Sequence, residues 1–422
     1  MAPADTGARV DLRVRTGNPP ALALRIQIPA SSKSEGAVET GGEVKPRIPF
    51  IQPLTPGDFL GARRETLASI APPGTRHQLY YLARNAIWHG VRALGLKEGD
   101  EVLVPAYCHG VEIDVLLALG LKLRRFRIDA SVRLDPSEIA RLISRDTRAI
   151  YVTHYWGFPQ PIEAIRNLAD GHGLPLIEDC ALSMFSKSGD RLLGTFGSMA
   201  IYCIYKTLPV PHGGVLVLNR DSLPMPAAPI PPDRTSTAAY CVHRGLDWLE
   251  LRWGEPGHRV AELARSVARA LKGWSKHAPV LVDTNRLDPR FLDLGISPLV
   301  SYLISRADAE AIARRRRENY ACLLKHLDPQ VRVVHPDLPA GVCPHSFPIL
   351  AQDKESLQAR MQEEGIETIN FWSRTHPAIS EESFPEIGFL RRHVLEIPVH
   401  QRLHPGHMKY MAHTLNRVAR WT

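Results

Sequence analysis

A chain of 422 residues is long enough for one large domain with a substantial core plus a smaller one, and 44% apolar against 23% charged residues is ordinary for a soluble globular protein. Lysine and arginine exceed aspartate and glutamate by only 8 (52 against 44), a mild excess spread along the chain that argues against nucleic acid as a partner. No uninterrupted apolar run is long enough to cross a bilayer, and the start lacks the basic and apolar segments of a secretion signal, so no membrane anchor is expected and a cytoplasmic protein is.

Residues 1–46 mix Pro, Gly, Ser and scattered charges without sustained periodicity, which predicts a mobile extension, with Leu22–Ile28 a possible short strand. Order begins near Ile48. Ala83, Ile87, Val91 and Leu94 share one helical face, and LKEGDEVLVPAY then turns into a strand at Val102–Pro105. Helix (Glu112–Leu119), strand (Lys122–Ile128), helix (Pro136–Ile143), strand (Ala149–His154), helix (Pro161–His172) and strand (Leu174–Glu178) follow in turn. Such alternation predicts a mainly parallel sheet covered on both faces, with ligands at the carboxyl ends of its strands.

Asp179 falls at one such end. A glycine-rich passage and a second apolar strand, Met199–Ile204, then deliver Lys206, followed by a strand at Gly214–Leu218. A carboxylate and an amine at the ends of nearby buried strands are what pyridoxal 5′-phosphate (PLP) chemistry needs: the amine tethers the aldehyde, and the carboxylate keeps the pyridine nitrogen protonated. An amine in apolar surroundings also favours its neutral, nucleophilic form. Glu178 points to the opposite face if the strand persists. The alternative for Asp179 is a plain helix N-cap, a common job for a strand-end aspartate.

Beyond the proline-rich passage SLPMPAAPIPPDRTST, helical patterns cover Ala238–Trp253 and Val260–Trp274, divided by GEPG. A second unit is expected from about Asp293: a long helix through Arg306, another over Ala307–Leu327, strands near Val331–Val334 and His345–Ala351, a helix Lys354–Glu364, and a last helix Pro405–Arg420. The basic run Arg314–Arg317 lies in a pattern that buries Ile312 and Leu323, and reads as a solvated helix face. Six scattered cysteines, Cys108, Cys180, Cys203, Cys241, Cys322 and Cys343, form no C-x-x-C pair and no Cys/His ligand spacing, so reduced thiols and no metal site are expected.

The motifs VPAYCHG, IYVTHYWGFPQP, LIEDC, YKTLPVPHGG and LEIPVHQRL together resemble the DegT-type (DegT/DnrJ) sugar aminotransferases of PLP fold type I, over roughly Ile48 to the C-terminus. The resemblance implies a large α/β domain with a mainly parallel sheet, residues 47–290, and a smaller C-terminal α+β domain, residues 291–422. It implies amino transfer from a donor such as glutamate to a keto-sugar in nucleotide-linked form, by a homodimer whose sites lie at the subunit interface. Lys206 takes the place of the PLP-bearing lysine and Asp179 that of the pyridine-nitrogen partner. His109 stands where the family stacks an aromatic ring, the alternative being a hydrogen-bonded loop histidine. Ala83 and Arg84 replace the family's Gly-Thr at the phosphate end; Arg84, with Asn85 as helper, either grips the phosphate or is simply exposed. Ile201 and Leu182 replace the family's serine and glutamine, leaving Ser183 and Cys203 as nearby candidates to compensate. Trp156, Trp372, Arg374 and His400 match stretches that face substrate in relatives, with packing or plain solvation as the alternatives. Two other readings stay open: a PLP enzyme for another carbonyl acceptor, such as an aminocyclitol precursor, and a PLP-fold binding or regulatory protein.

Overall fold

The computed structural model describes residues 45–232, 235–272 and 287–418, so the expected extension lies almost wholly outside the described residues, as does the strand at Leu22–Ile28. After a single helical turn, α1 (Gly57–Leu60), the main sheet and its helices follow in the order β1 (Arg76–Tyr80), α2 (Ala83–Ala93), β2 (Glu101–Pro105), α3 (Val111–Ala118), β3 (Lys122–Phe126), α4 (Pro136–Leu142), β4 (Thr147–Thr153), α5 (Ile162–Gly171) and β5 (Leu176–Asp179). A two-residue hairpin pair, β6 (Lys187–Ser188) and β7 (Arg191–Leu192), precedes β8 (Met199–Cys203) and β9 (Gly214–Leu218).

Seven of these strands form one sheet in the order β1-β9-β8-β5-β4-β2-β3. The five from β8 to β3 are parallel, β9 runs antiparallel to β8, and β1 antiparallel to β9. This is the α/β fold with a mainly parallel sheet. Every residue of β5, β8 and β9 is buried, as helices on both faces require. Gly90 lets α2 lie directly on the sheet: a Cβ there would sit 2.5 Å from the Met199 methyl and 2.7 Å from Leu216 Cδ1.

Two helices, α6 (Thr235–Trp253) and α7 (Glu255–Lys272), pair with each other, tied by Arg265 of α7 reaching Asp247 at 3.0 Å and Glu250 of α6. Then come α8 (Pro298–Ile304), α9 (Ala309–His326), β10 (Phe347–Leu350), α10 (Lys354–Glu363), β11 (Ile369–Asn370), α11 (Pro385–His393), β12 (Val394–Ile397) and α12 (Pro405–Val418). The second, antiparallel sheet has the order β10-β12-β11, giving the smaller α+β part.

Side-chain caps explain several boundaries that periodicity misplaces. The helix expected from Asp293 begins only at Pro298, because Ser297 Oγ accepts the Val300 amide and proline fits only the first helical turn. The next begins after Asp308, whose carboxylate caps the Ala311 amide. The stretch Val331–Val334 forms no strand and makes a single bridge, Val333 to Ile349.

The basic run corrects the solvated-face reading. Arg316 is 1% exposed. Its guanidinium donates to the carbonyls of Pro344 (3.1 Å), His345 (2.8 Å) and Thr207 (3.3 Å) and to Gln401 Oε1 (3.0 Å). Arg317 donates to the carbonyls of Pro339 and Val342. Both serve as cross-links between segments distant in sequence.

Candidate active site

Because β4, β5 and β8 are parallel neighbours, their carboxyl ends open into one crevice. Asp179 closes β5 opposite Ile201 of β8, and β8 runs on into one 3-10 turn, Ile204–Lys206. Asp179 is buried. Its Oδ2 accepts the Tyr151 hydroxyl at 2.7 Å and its Oδ1 the Ala181 amide at 2.9 Å. Burial and then the nearby Glu112 push its carboxyl up, while the Ala181 amide, Tyr151 and Lys206 pull it back. Lys206 is half-buried, and its charge is felt by Asp179, Glu112, His109, Glu396 and His345, which therefore surround one amine.

His109 sits in the loop after β2 and is exposed. Crowding by the surrounding protein, then repulsion from Lys206, Arg84 and Arg391, pushes the imidazole down to about 4, so it is neutral at physiological pH. Its amide donates to Glu112 Oε1 at 2.8 Å, and Trp372 meets its ring edge-on with centroids 6.2 Å apart. Behind it, buried Arg391 of α11 donates to the carbonyls of Cys108 (2.9 Å), Arg374 (2.7 Å) and Trp372, joining the His109 loop to the 372–374 loop.

The opposite end of the crevice is the start of α2, which carries no side-chain cap. Gly214 brings β9 against it: a Cβ at Gly214 would lie 2.3 Å from the Leu82 carbonyl and 2.5 Å from the Ala83 nitrogen. Arg84 in the first turn is buried, and its charge reaches His109. A cation in the first turn of an uncapped helix adds to the positive dipole end, an arrangement suited to an anion.

The structure does not bring every sequence candidate to this crevice. Asn85 turns away, its side-chain amide donating to the carbonyls of Phe291 (2.6 Å) and Leu294 (3.4 Å). Ser183 spends its hydroxyl on the His154 carbonyl at 3.0 Å. His400 is buried between the Pro49 carbonyl (2.9 Å) and the Arg402 amide (3.3 Å), and burial pushes it down to about 3. Trp156 is fully buried, its φ of 51° turning the ring onto Phe371, 4.8 Å between centroids. Arg374 is exposed, and Cys203, Ile201 and Leu182 are sealed in the core. Glu178 does face away: it accepts the amides of Gly194 (2.8 Å) and Gly197 and lies 3.4 Å from His154. Although Glu178, His154 and Cys180 lie close enough to share an ion, these hydrogen bonds occupy the carboxylate, and His154 Nδ1 takes the Gln160 amide at 3.1 Å.

Sequence reasoning missed Tyr151, Glu112, Arg391 and Glu396. The last lies in β12, is buried, and accepts the Ser346 hydroxyl at 2.6 Å; burial pushes it up to about 7. An ionisable residue inside an otherwise apolar strand, as in VLEIPV, was the available signal. A cavity of about 520 Å³ opens elsewhere, at the amino ends of the strands beside Asp100, Thr147 and Pro175.

Comparison with known proteins bears on this crevice directly, because the matching stretch runs from the first turn of α2 through β9 and contains Arg84, His109, Asp179 and Lys206. Residues 83–228 match the DegT/DnrJ/EryC1/StrS aminotransferase family. GDP-perosamine synthase of Vibrio cholerae is 31% identical over 139 residues, 32% of this chain and 38% of that protein. Its counterpart in Escherichia coli O157:H7 is 33% identical over 134 residues, 31% of this chain and 37% of that protein. The chain thus matches little more than a third of these relatives' length. Among solved structures, PseC of Helicobacter pylori superposes with a TM-score of 0.62 at 15% identity, covering 88% of this chain and 99% of that one. DesV of S. venezuelae gives 0.61 at 20%, covering 89% and 100%. At such identities these two show the fold, which extends well beyond the family segment.

Proposed function

We propose that this chain is a PLP-dependent aminotransferase that moves an amino group from an amino-acid donor, glutamate, to a nucleotide-linked keto-sugar in the making of an amino sugar. The carrying observation is the meeting of Lys206 and Asp179 at the ends of adjacent strands, inside the family segment. The names of the relatives, two GDP-perosamine synthases, support the substrate class. The residues fit PLP: an amine among carboxylates, a buried carboxylate whose two oxygens each have a single donor, a neutral ring at His109, and a cationic uncapped helix start at Ala83–Arg84.

When bound, PLP supplies an aldehyde for capture and a ring that accepts electrons. Lys206 would tether the aldehyde and, once displaced by the donor, take the proton from the donor's α-carbon as general base. Asp179 would accept the pyridine N–H, His109 would cover one face of the ring, and Arg84 with the α2 amides would hold the phosphate. We also read the division at residues 290/291 as a domain boundary and the molecule as a cytoplasmic homodimer. Exposed Val260, Leu263 and Val267 on one stripe of α7 support self-association. Among the described residues no helix is long and apolar enough to cross a membrane.

A second reading, a PLP-fold protein that acts by binding, draws on the replacement of the family serine and glutamine by Ile201 and Leu182. One experiment separates the two. The purified protein is mixed with PLP, its absorbance followed, borohydride added, and the modified peptide mapped; a second sample receives glutamate alone. Capture at Lys206 and formation of pyridoxamine phosphate support the enzyme. A protein that stays colourless with PLP, or whose adduct maps to another lysine, overturns it.

A further inference from the structure

We propose that Tyr151 is a positioning residue of this centre: its hydroxyl holds the Asp179 carboxylate in one orientation as an acceptor for the cofactor's pyridine N–H. The inference rests on the PLP reading above. In the β4–β5 register Tyr151 pairs with Ile177 and Thr153 with Asp179. The residue directly opposite Asp179 also carries a hydroxyl, yet Thr153 Oγ1 is buried and finds no partner among the described residues. Tyr151 instead reaches diagonally, two residues along the neighbouring strand, to place its hydroxyl 2.7 Å from Oδ2. With the Ala181 amide on Oδ1, each carboxylate oxygen has one fixed donor, which sets the plane of the group.

The need for this donor comes from the surroundings of Asp179. Facing it are Glu112 of α3, Tyr155 beyond β4, Cys180, Cys203 of β8, and Lys206. Burial and Glu112 push its carboxyl towards the protonated form; the Ala181 amide, Tyr151 and Lys206 oppose them. With Lys206 joined to the aldehyde, the Tyr151 hydroxyl and the Ala181 amide would be the protein's two fixed donors to the carboxylate beside the ring nitrogen. Burial drives the Tyr151 hydroxyl itself well above its usual range, so it stays a donor at any working pH.

The test compares wild type, Tyr151→Phe, Asp179→Asn and the double variant in two measurements from about pH 4, near the ordinary carboxylate value, up to about pH 9. The first is PLP titration by absorbance: Tyr151→Phe is expected to weaken binding about tenfold where the carboxylate begins to take up a proton, recovering as pH rises and it ionises. The second needs no cofactor. Melting of the PLP-free protein should show a Tyr151→Phe deficit that grows with pH, and in the Asp179→Asn background, where an oxygen still accepts but no charge develops, a smaller deficit that is the same at every pH. A deficit equal at every pH with Asp179 in place, or undiminished in the Asp179→Asn background, makes Tyr151 a packing residue and overturns the inference. Wild type that captures no PLP while the melting coupling holds overturns the cofactor reading, and with it the pyridine as the carboxylate's target.

Discussion

At the residue scale, the crevice is set by what surrounds each ionisable group. His109 is neutral because crowding and three cations disfavour its imidazolium form, and a neutral ring can lie against a pyridinium without added repulsion. Replacing His109 by Phe should keep PLP affinity within a few-fold, whereas His109→Ala should lose up to about tenfold, the worth of a ring–ring contact, in the same absorbance titration. Glu396 makes a cleaner pH argument. Its folded value of about 7 lies above the ordinary 4.5, so its contribution to stability is fully present below the unfolded value and is lost as pH rises through the folded one. Glu396→Gln keeps the acceptor for Ser346 and removes the ionisation. The variant should therefore gain on wild type by up to ~3 kcal/mol between about pH 5 and 8, measured by denaturant unfolding.

At the element scale, the start of α2 and the start of β9 act as one unit. With no room for a Cβ at Gly214, the backbone of β9 touches the Leu82–Ala83 peptide and fixes where the first amides of α2 point. Gly214→Ala must push that peptide aside, since the obstructing atoms are backbone. A loss of roughly 2 kcal/mol or more in thermal or urea unfolding is expected, together with weaker binding of inorganic phosphate and of PLP. Most strands and helices of the large sheet were legible, because a buried parallel strand is a continuous apolar run and each helix shows its 3.6-residue stripe. Edge strand β1 and the two-residue β11 were not: RHQLY and IN carry no such signal and become strands only by pairing with β9 and β12.

At the scale of the whole molecule, two arginines join segments far apart in sequence. Arg391 ties the His109 loop to the loop carrying Trp372, and Arg316 ties α9 to the Thr207 carbonyl, one residue beyond Lys206. Burial draws the Arg316 guanidinium down to about 10, which still leaves it charged at neutral pH. Arg316→Met would strand the carbonyls of Thr207, Pro344 and His345 in a dry interior. A loss of roughly 3–5 kcal/mol in urea unfolding is expected, with Arg316→Lys recovering little of it because a single ammonium cannot span the same acceptors.

From the sequence alone came the kind of sheet, the two strand ends and the two residues that stand on them, Asp179 and Lys206, because apolar runs and their polar terminators are local facts. Only the tertiary structure decided which other groups attend them. Tyr151 serves Asp179 through strand register, Asn85 and His400 are claimed by distant carbonyls, and Arg316 leaves its basic run for the interior. Each of those outcomes depends on a partner tens to hundreds of residues away, and no pattern within a helix or strand encodes where that partner will come to rest.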